Sequence, residues 1–111
     1  MYEKNLNIGY LLDFYGEILT ERKRSVLDMY YNEDFSLAEI SEEIGISRQG
    51  VRDIIKKTEE ELLFLEERLG LSKKIEILDK KTDELLRLSQ KLGAPEVIVA
   101  GLTELKGEIE K

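Results

Sequence analysis

Apolar positions along the chain recur at helical spacing and nowhere alternate with period two, so the pattern predicts an all-α protein. A first helix is expected from Leu6 to Leu19, with Tyr10, Leu11, Phe14, Tyr15 and Ile18 as a broad apolar face. Thr20 is placed to cap a second, from Glu21 to about Tyr31, that buries Val26, Leu27 and Tyr30. After the acidic turn Asn32-Glu33-Asp34, the positions Val51, Ile55, Thr58, Leu62, Leu65 and Leu69 keep a 4-3-4-3-4 spacing up to Gly70. That spacing predicts one helix of about twenty residues, its distal half projecting beyond the bundle. Leu71, Ile75, Leu78, Thr82, Leu85, Ser89 and Leu92 repeat the spacing in a helix that Ser72 can begin and Gly93 closes, and Pro95 opens a last one. The expected organisation is a bundle over residues 1–70 and a helical extension over 71–111. The second stripe requires a cover, either a hairpin on its own chain or a coiled-coil-like homodimer.

Within the bundle, residues Ser36 to Lys57 (SLAEISEEIGISRQGVRDIIKK) have the pattern of a helix-turn-helix. Two short helices that cross steeply need apolar contacts, a small residue at the crossing and a turn that tolerates positive φ. Ile40, Ile44, Ile46, Val51 and Ile54 supply the contacts, Ser41 the small residue and Gly45 the turn. Ser36 with Glu39 forms a capping box, and Phe35 can staple onto Ile40. Ser47 can cap the second helix with Ile46 stapled onto Val51, although Gly50 stands where a reciprocal Glu or Gln would sit; a close backbone approach would account for that glycine.

A chain of 111 residues holds one compact domain, or a small domain with an appendage. With no cysteine and no histidine there are no disulfides, thiol nucleophiles or zinc sites of the usual ligand set, and the commonest general base is missing. Neither a cofactor nor a catalytic site is expected. No signal peptide precedes the first charged helix, and no apolar run is long enough for membrane insertion, so a cytoplasmic location is expected.

The net charge of −7 weighs against a generic nucleic-acid binder, but the charge is unevenly spread. Residues 1–46 carry ten acids against four bases, whereas residues 47–58, the second motif helix, carry four bases against one acid. Arg48, Gln49, Arg52, Asp53 and Lys56 lie off the apolar positions of that helix. Arg48, Gln49 and Arg52, beside the cap Ser47, suit contacts to base edges, while Lys56 and Lys57 suit phosphates. Ser47, Arg48, Gln49, Arg52, Lys56 and Lys57 are therefore the candidate nucleic-acid-binding set. The run Glu59-Glu60-Glu61 is no metal site, because consecutive helical positions point about 100° apart and cannot converge on one ion. Seven of the eight aromatic residues fall within the first 35 positions, at a spacing that assigns them mainly to the core.

The segment from Leu19 to Lys57, LTERKRSVLDMYY followed by SLAEISEEIGISRQGVRDIIKK, resembles region 4 of bacterial sigma factors. Over residues 5–71, YLLDFYGEILTERKRSVLDMYYNEDFSLAEISEEIGISRQGV with DIIKKTEEELLFLEERLGL is similar to the small YlxM-like helix-turn-helix family of bacteria. The resemblance implies a sigma-region-4-like all-helical fold with a long recognition helix. It also implies a non-enzymatic accessory or regulatory role in the signal recognition particle pathway, with RNA or the ribonucleoprotein as partner and its GTPase as a second. Two alternatives stand beside it. One is a DNA-binding transcriptional regulator using the same helix as a dimer; the other is a protein-only interaction module using the leucine-lined helices.

Overall fold

A computed structural model describes residues 6–111, all helices and connecting turns. The first five residues of the expected bundle, Tyr2 among them, lie outside the described residues, as does the Leu6 side chain. Six α-helices follow one another: α1 (Leu6–Tyr15), α2 (Glu21–Tyr31), α3 (Leu37–Ile44), α4 (Arg48–Leu69), α5 (Leu71–Lys91) and α6 (Glu96–Glu110). They divide into two compact units, one ending at Leu69 and one spanning Gly70–Lys111.

In the first unit α4 is the central element, and α1, α2 and α3 all pack on it. Ile40, Val51, Ile55, Leu62, Val26 and Leu27 are fully buried in one core with Ile8, Leu11, Leu12 and Tyr15. Burial of each such aliphatic side chain is worth about 1.5–3 kcal/mol relative to exposure. The distal half of α4 does not project, contrary to the sequence expectation. Leu62 is fully buried, the Tyr15 phenol of α1 donates to Glu66 at 2.6 Å, and Lys23 of α2 pairs with Glu61 at 3.0 Å. Tyr31 of α2 donates to Glu59, two residues before Glu61. Periodicity defines the apolar stripe of α4 but not its cover, which α1 and α2 supply.

The first helix differs in length and in phase from the expectation. It ends at Tyr15 and tightens into a 3-10 turn over Gly16–Ile18, after which Leu19 is extended (φ −72°, ψ 154°) and buried. That exit puts Thr20 at the head of α2, where its hydroxyl accepts from the Lys23 amide at 3.4 Å. The buried face is Ile8, Leu11, Leu12, Tyr15 and Leu19, while Tyr10, Phe14 and Ile18 are exposed. Tyr15 and Tyr30 are the fully packed aromatics; Tyr10, Phe14 and Phe64 are largely open to solvent, so the aromatic residues are less uniformly core than their spacing suggests.

The second unit is a hairpin of α5 and α6. Gly70, in the left-handed region at φ 60°, heads α5, so Ser72 is not its cap but a buried residue of its first turn. The chain reverses after Leu92, and Pro95 immediately precedes α6. The more sheltered residues of α5 recur at Ile75, Asp79, Thr82, Leu86 and Ser89, and those of α6 at Val99, Leu102, Lys106 and Ile109. This shared 4-3 spacing is the seam between the two helices. Leu71, Leu78, Leu85 and Leu92, expected in the same stripe, stay exposed beside it.

Candidate nucleic-acid interface

The helix-turn-helix is α3, the turn at Gly45, and the first turns of α4. Ser36 accepts from the Glu39 amide at 3.1 Å while the Glu39 carboxylate accepts from the Ser36 amide at 2.9 Å, a complete capping box. Gly45 closes α3 at φ 74°, ψ 33°, a left-handed conformation that a β-branched residue resists strongly. The Ser41 hydroxyl donates to the Ile46 carbonyl and so ties α3 to the far side of the turn. Ser47 caps α4 by accepting from the Gly50 amide at 3.0 Å. Gly50 is hemmed by side chains rather than by another backbone: a Cβ there would stand 3.2 Å from Ser47 Oγ and 3.3 Å from Ile46 Cδ1.

With Val51 and Ile55 turned into the core and Ile54 packed against it, the polar side chains of the first turns of α4 face outward. Ser47, Arg48, Gln49, Arg52, Lys56 and Lys57 are all exposed. Residues four apart stand one above another on a helix. Arg48, Arg52 and Lys56 therefore form one ridge, and Gln49, Asp53 and Lys57 the next; at 1.5 Å per residue each ridge runs for about 12 Å. Among the described residues, no carboxylate forms an ion pair with Arg48, Arg52, Lys56 or Lys57. Gln49 is committed differently: its amide nitrogen donates to Asp53 at 3.0 Å.

A cleft of about 420 Å³ opens where the start of α3 meets the start of α4, lined by Ser36, Leu37, Ala38, Arg48, Gln49 and Arg52. The amides of Leu37 and Ala38 belong to the first turn of α3, where helix geometry provides no intrahelical acceptor. Two guanidinium groups thus share a concavity with the amide-rich end of a second helix, an arrangement suited to a phosphate or a base edge. Sequence reasoning had placed the α4 residues on an outward face but missed the three from α3. The Ser36 capping box marks where α3 starts, but its nearness to α4 follows only from how the two helices cross.

A smaller hollow of about 210 Å³ on α2 carries mixed charge from Glu21, Arg24 and Asp28. Among the described residues no three His, Cys, Asp or Glu side chains converge to hold a metal ion, and no helix is long and apolar enough to cross a membrane. Burial pushes the Glu59 carboxyl up to about 7, and the group lies beside Tyr31 at the α2–α4 contact.

Fold and surface together define an all-α helix-turn-helix protein. The chain belongs to the UPF0122 family, described as "Putative helix-turn-helix protein, YlxM / p13 like", whose profile matches residues 2–97. It is similar to a UPF0122 protein of Listeria innocua, 41% identical over 107 residues that cover 96% of this chain and 97% of that one. A UPF0122 protein of Caldanaerobacter subterraneus is 47% identical over 85 residues, 77% of this chain and 73% of the relative. A third, from Exiguobacterium sibiricum, is 43% identical over 104 residues, 94% of this chain and 97% of its own length.

Proposed function

We propose that this protein is a non-enzymatic, cytoplasmic regulatory or accessory protein that binds nucleic acid through the outer face of α4. The observation that carries this reading is the ridge of Arg48, Arg52 and Lys56 with Lys57 beside it, free of described ion-pair partners on an otherwise acidic chain. An anionic partner can pair with these cations without breaking an existing ion pair, and release of its counterions supplies the binding free energy. Arg48 and Arg52 contact base edges or phosphate from the cleft, Lys56 and Lys57 hold the backbone further along, and the start of α3 fixes the approach angle. Docking is electrostatic and local, and the acidic remainder of the surface sets its orientation.

The target in this reading is RNA, specifically that of the signal recognition particle. That assignment rests on the likeness of residues 5–71 to the YlxM-like family, as does a contact with the particle's GTPase. A DNA operator read by the same helix is the competing target.

The test is an anisotropy titration of labelled signal recognition particle RNA at two salt concentrations, competed by random duplex DNA. Binding that weakens with salt and resists the duplex is expected. Replacing Arg48 and Arg52 together by Ala should reduce the slope of log K against log salt by about 1.4–1.8, from roughly 0.7–0.9 per cation removed. Unchanged affinity and slope in a normally helical double variant would overturn the assignment of this face. Preference for the duplex would move the target to DNA.

A further inference from the structure

The α5–α6 hairpin has two unlike sides. The chain reverses between Lys91 and Glu96, so the two helices run antiparallel, and the Lys106 Nζ of α6 lies 3.2 Å from Asp79 and 3.3 Å from Asp83 of α5. Residues one position after a seam residue, such as Lys80, Asp83, Arg87 and Glu110, share one side. There Glu76 pairs with Lys80 and Asp83 with Arg87, and Glu110 pairs with the seam residue Lys106. Residues one position before a seam residue are mainly apolar, Leu78, Leu85 and Leu88 on α5 and Ile98 and Leu105 on α6, with Lys74, Lys81 and Glu108 as the charged members. In two right-handed helices packed antiparallel, that common offset falls on the other side of the pair.

On this second side Leu71, Leu78, Leu85 and Leu92 are seven residues apart, a straight line along α5. Ile98 and Leu105 are seven apart on α6. These six side chains are 41–73% exposed. They offer on the order of 500 Å² of apolar surface per chain, at the upper end of what a monomer leaves open, and two such faces together reach the ~1,000 Å² that a specific interface requires.

Charge selects the occupant. The hairpin, Gly70–Lys111, contains eight bases and eight acids and is neutral, whereas the whole −7 of the chain resides in residues 1–69. A leucine line on a hairpin with no net charge meets its own copy without net repulsion, whereas a strongly charged partner gains little from that hairpin.

We propose that this face of the α5–α6 hairpin is a homodimer interface, in which the Leu71–Leu78–Leu85–Leu92 line and the Ile98–Leu105 line of one chain pack on the same lines of a second copy. The result is a four-helix arrangement built from two hairpins. This is independent of the nucleic-acid reading, since no residue of the α4 face takes part.

Sedimentation of the full chain tests it, with circular dichroism as the control for folding. The wild-type chain should sediment at twice its 12.9 kDa mass. Leu78→Lys with Leu85→Lys should weaken dimerisation at least about a hundredfold and leave a helical monomer, since both leucines are already half exposed. Arg87→Ala, on the ionic side, should remain dimeric. Should the lysine pair impair folding, Leu78→Gln with Leu85→Gln introduces the same polarity without charge and should also yield a monomer. A wild-type chain that stays monomeric at its highest soluble concentration overturns the proposal and leaves the face to a different protein. A dimer that either folded double variant leaves intact overturns it too, and places the interface elsewhere.

Discussion

Replacing Gly45 isolates the contribution of the turn on which the binding face depends. The residue sits at φ 74°, and a Cβ added there would meet nothing within 4 Å, so the effect is confined to the backbone. An L-residue in the left-handed region costs about 1–2 kcal/mol, and the stiffer unfolded chain of Gly45→Ala returns about 0.4–1 kcal/mol of an unstrained site's gain. The net loss for Ala is about 1 kcal/mol, lowering the midpoint by roughly 4–8 °C for a unit of this size. Gly45→Val should lose more, since a branched Cβ is a true outlier in this region, and Gly45→Asn least, since its side chain tolerates the conformation. Urea denaturation followed by circular dichroism would rank the three. The helical Gly107 provides the contrast: its Cβ position is also open, and Gly107→Ala should stabilise the helix by about 0.5–1 kcal/mol. An order other than Asn, Ala, Val at position 45, or an Ala variant as stable as wild type, would refute the claim that the left-handed turn holds α3 against α4.

Glu59 gives a pH signature. Its carboxyl is pushed up to about 7 from 4.5, so the folded state binds the proton more tightly; the contribution is fully present below pH 4.5 and is lost as pH rises through about 7. Glu59→Gln, which keeps an acceptor for Tyr31, should therefore gain on wild type as pH is raised from 5 to 8, and a pH-independent difference in urea midpoints would contradict the assignment. Tyr15→Phe removes the phenol that reaches Glu66 and should cost about 1–2 kcal/mol in the same assay; no loss would mean that the α1–α4 contact rests on apolar packing alone. Ser36→Ala removes half of the capping box and should cost about 1 kcal/mol, with faster amide exchange at Glu39, the donor to the lost hydroxyl; unchanged exchange there would refute the cap.

Local chemistry was legible in the sequence where a residue's role is set by its immediate neighbours. Thr20, Ser36 with Glu39, and Ser47 cap the helices that follow them, and Gly45 turns left-handed where the pattern demands it. Packing phase was not legible. In the first helix apolar residues occupy almost every direction, so spacing alone cannot distinguish the buried Ile8, Leu12 face from the exposed Tyr10, Phe14, Ile18 face; the position of α2 and α4 decides it. The α5 stripe contained two interleaved heptad lines, and which of them meets α6 depends on the partner helix, not on the spacing. The outward face of α4 followed from its buried Val51 and Ile55, whereas its cleft with Leu37 and Ala38 required the crossing of two helices in space.

The isolation of the α4 cations on an acidic body has a kinetic consequence. At low ionic strength, where screening extends about 30 Å, an approaching polyanion meets the field of the whole chain and is turned away; at physiological salt, with screening near 8 Å, it meets whichever face is nearest. Association should therefore accelerate as salt is first added and slow only when the local contacts themselves become screened, whereas a uniformly basic binder only slows. If that ridge is the nucleic-acid face proposed above, the acidic body filters encounters by orientation, favouring those that arrive with Arg48, Arg52 and Lys56 in front.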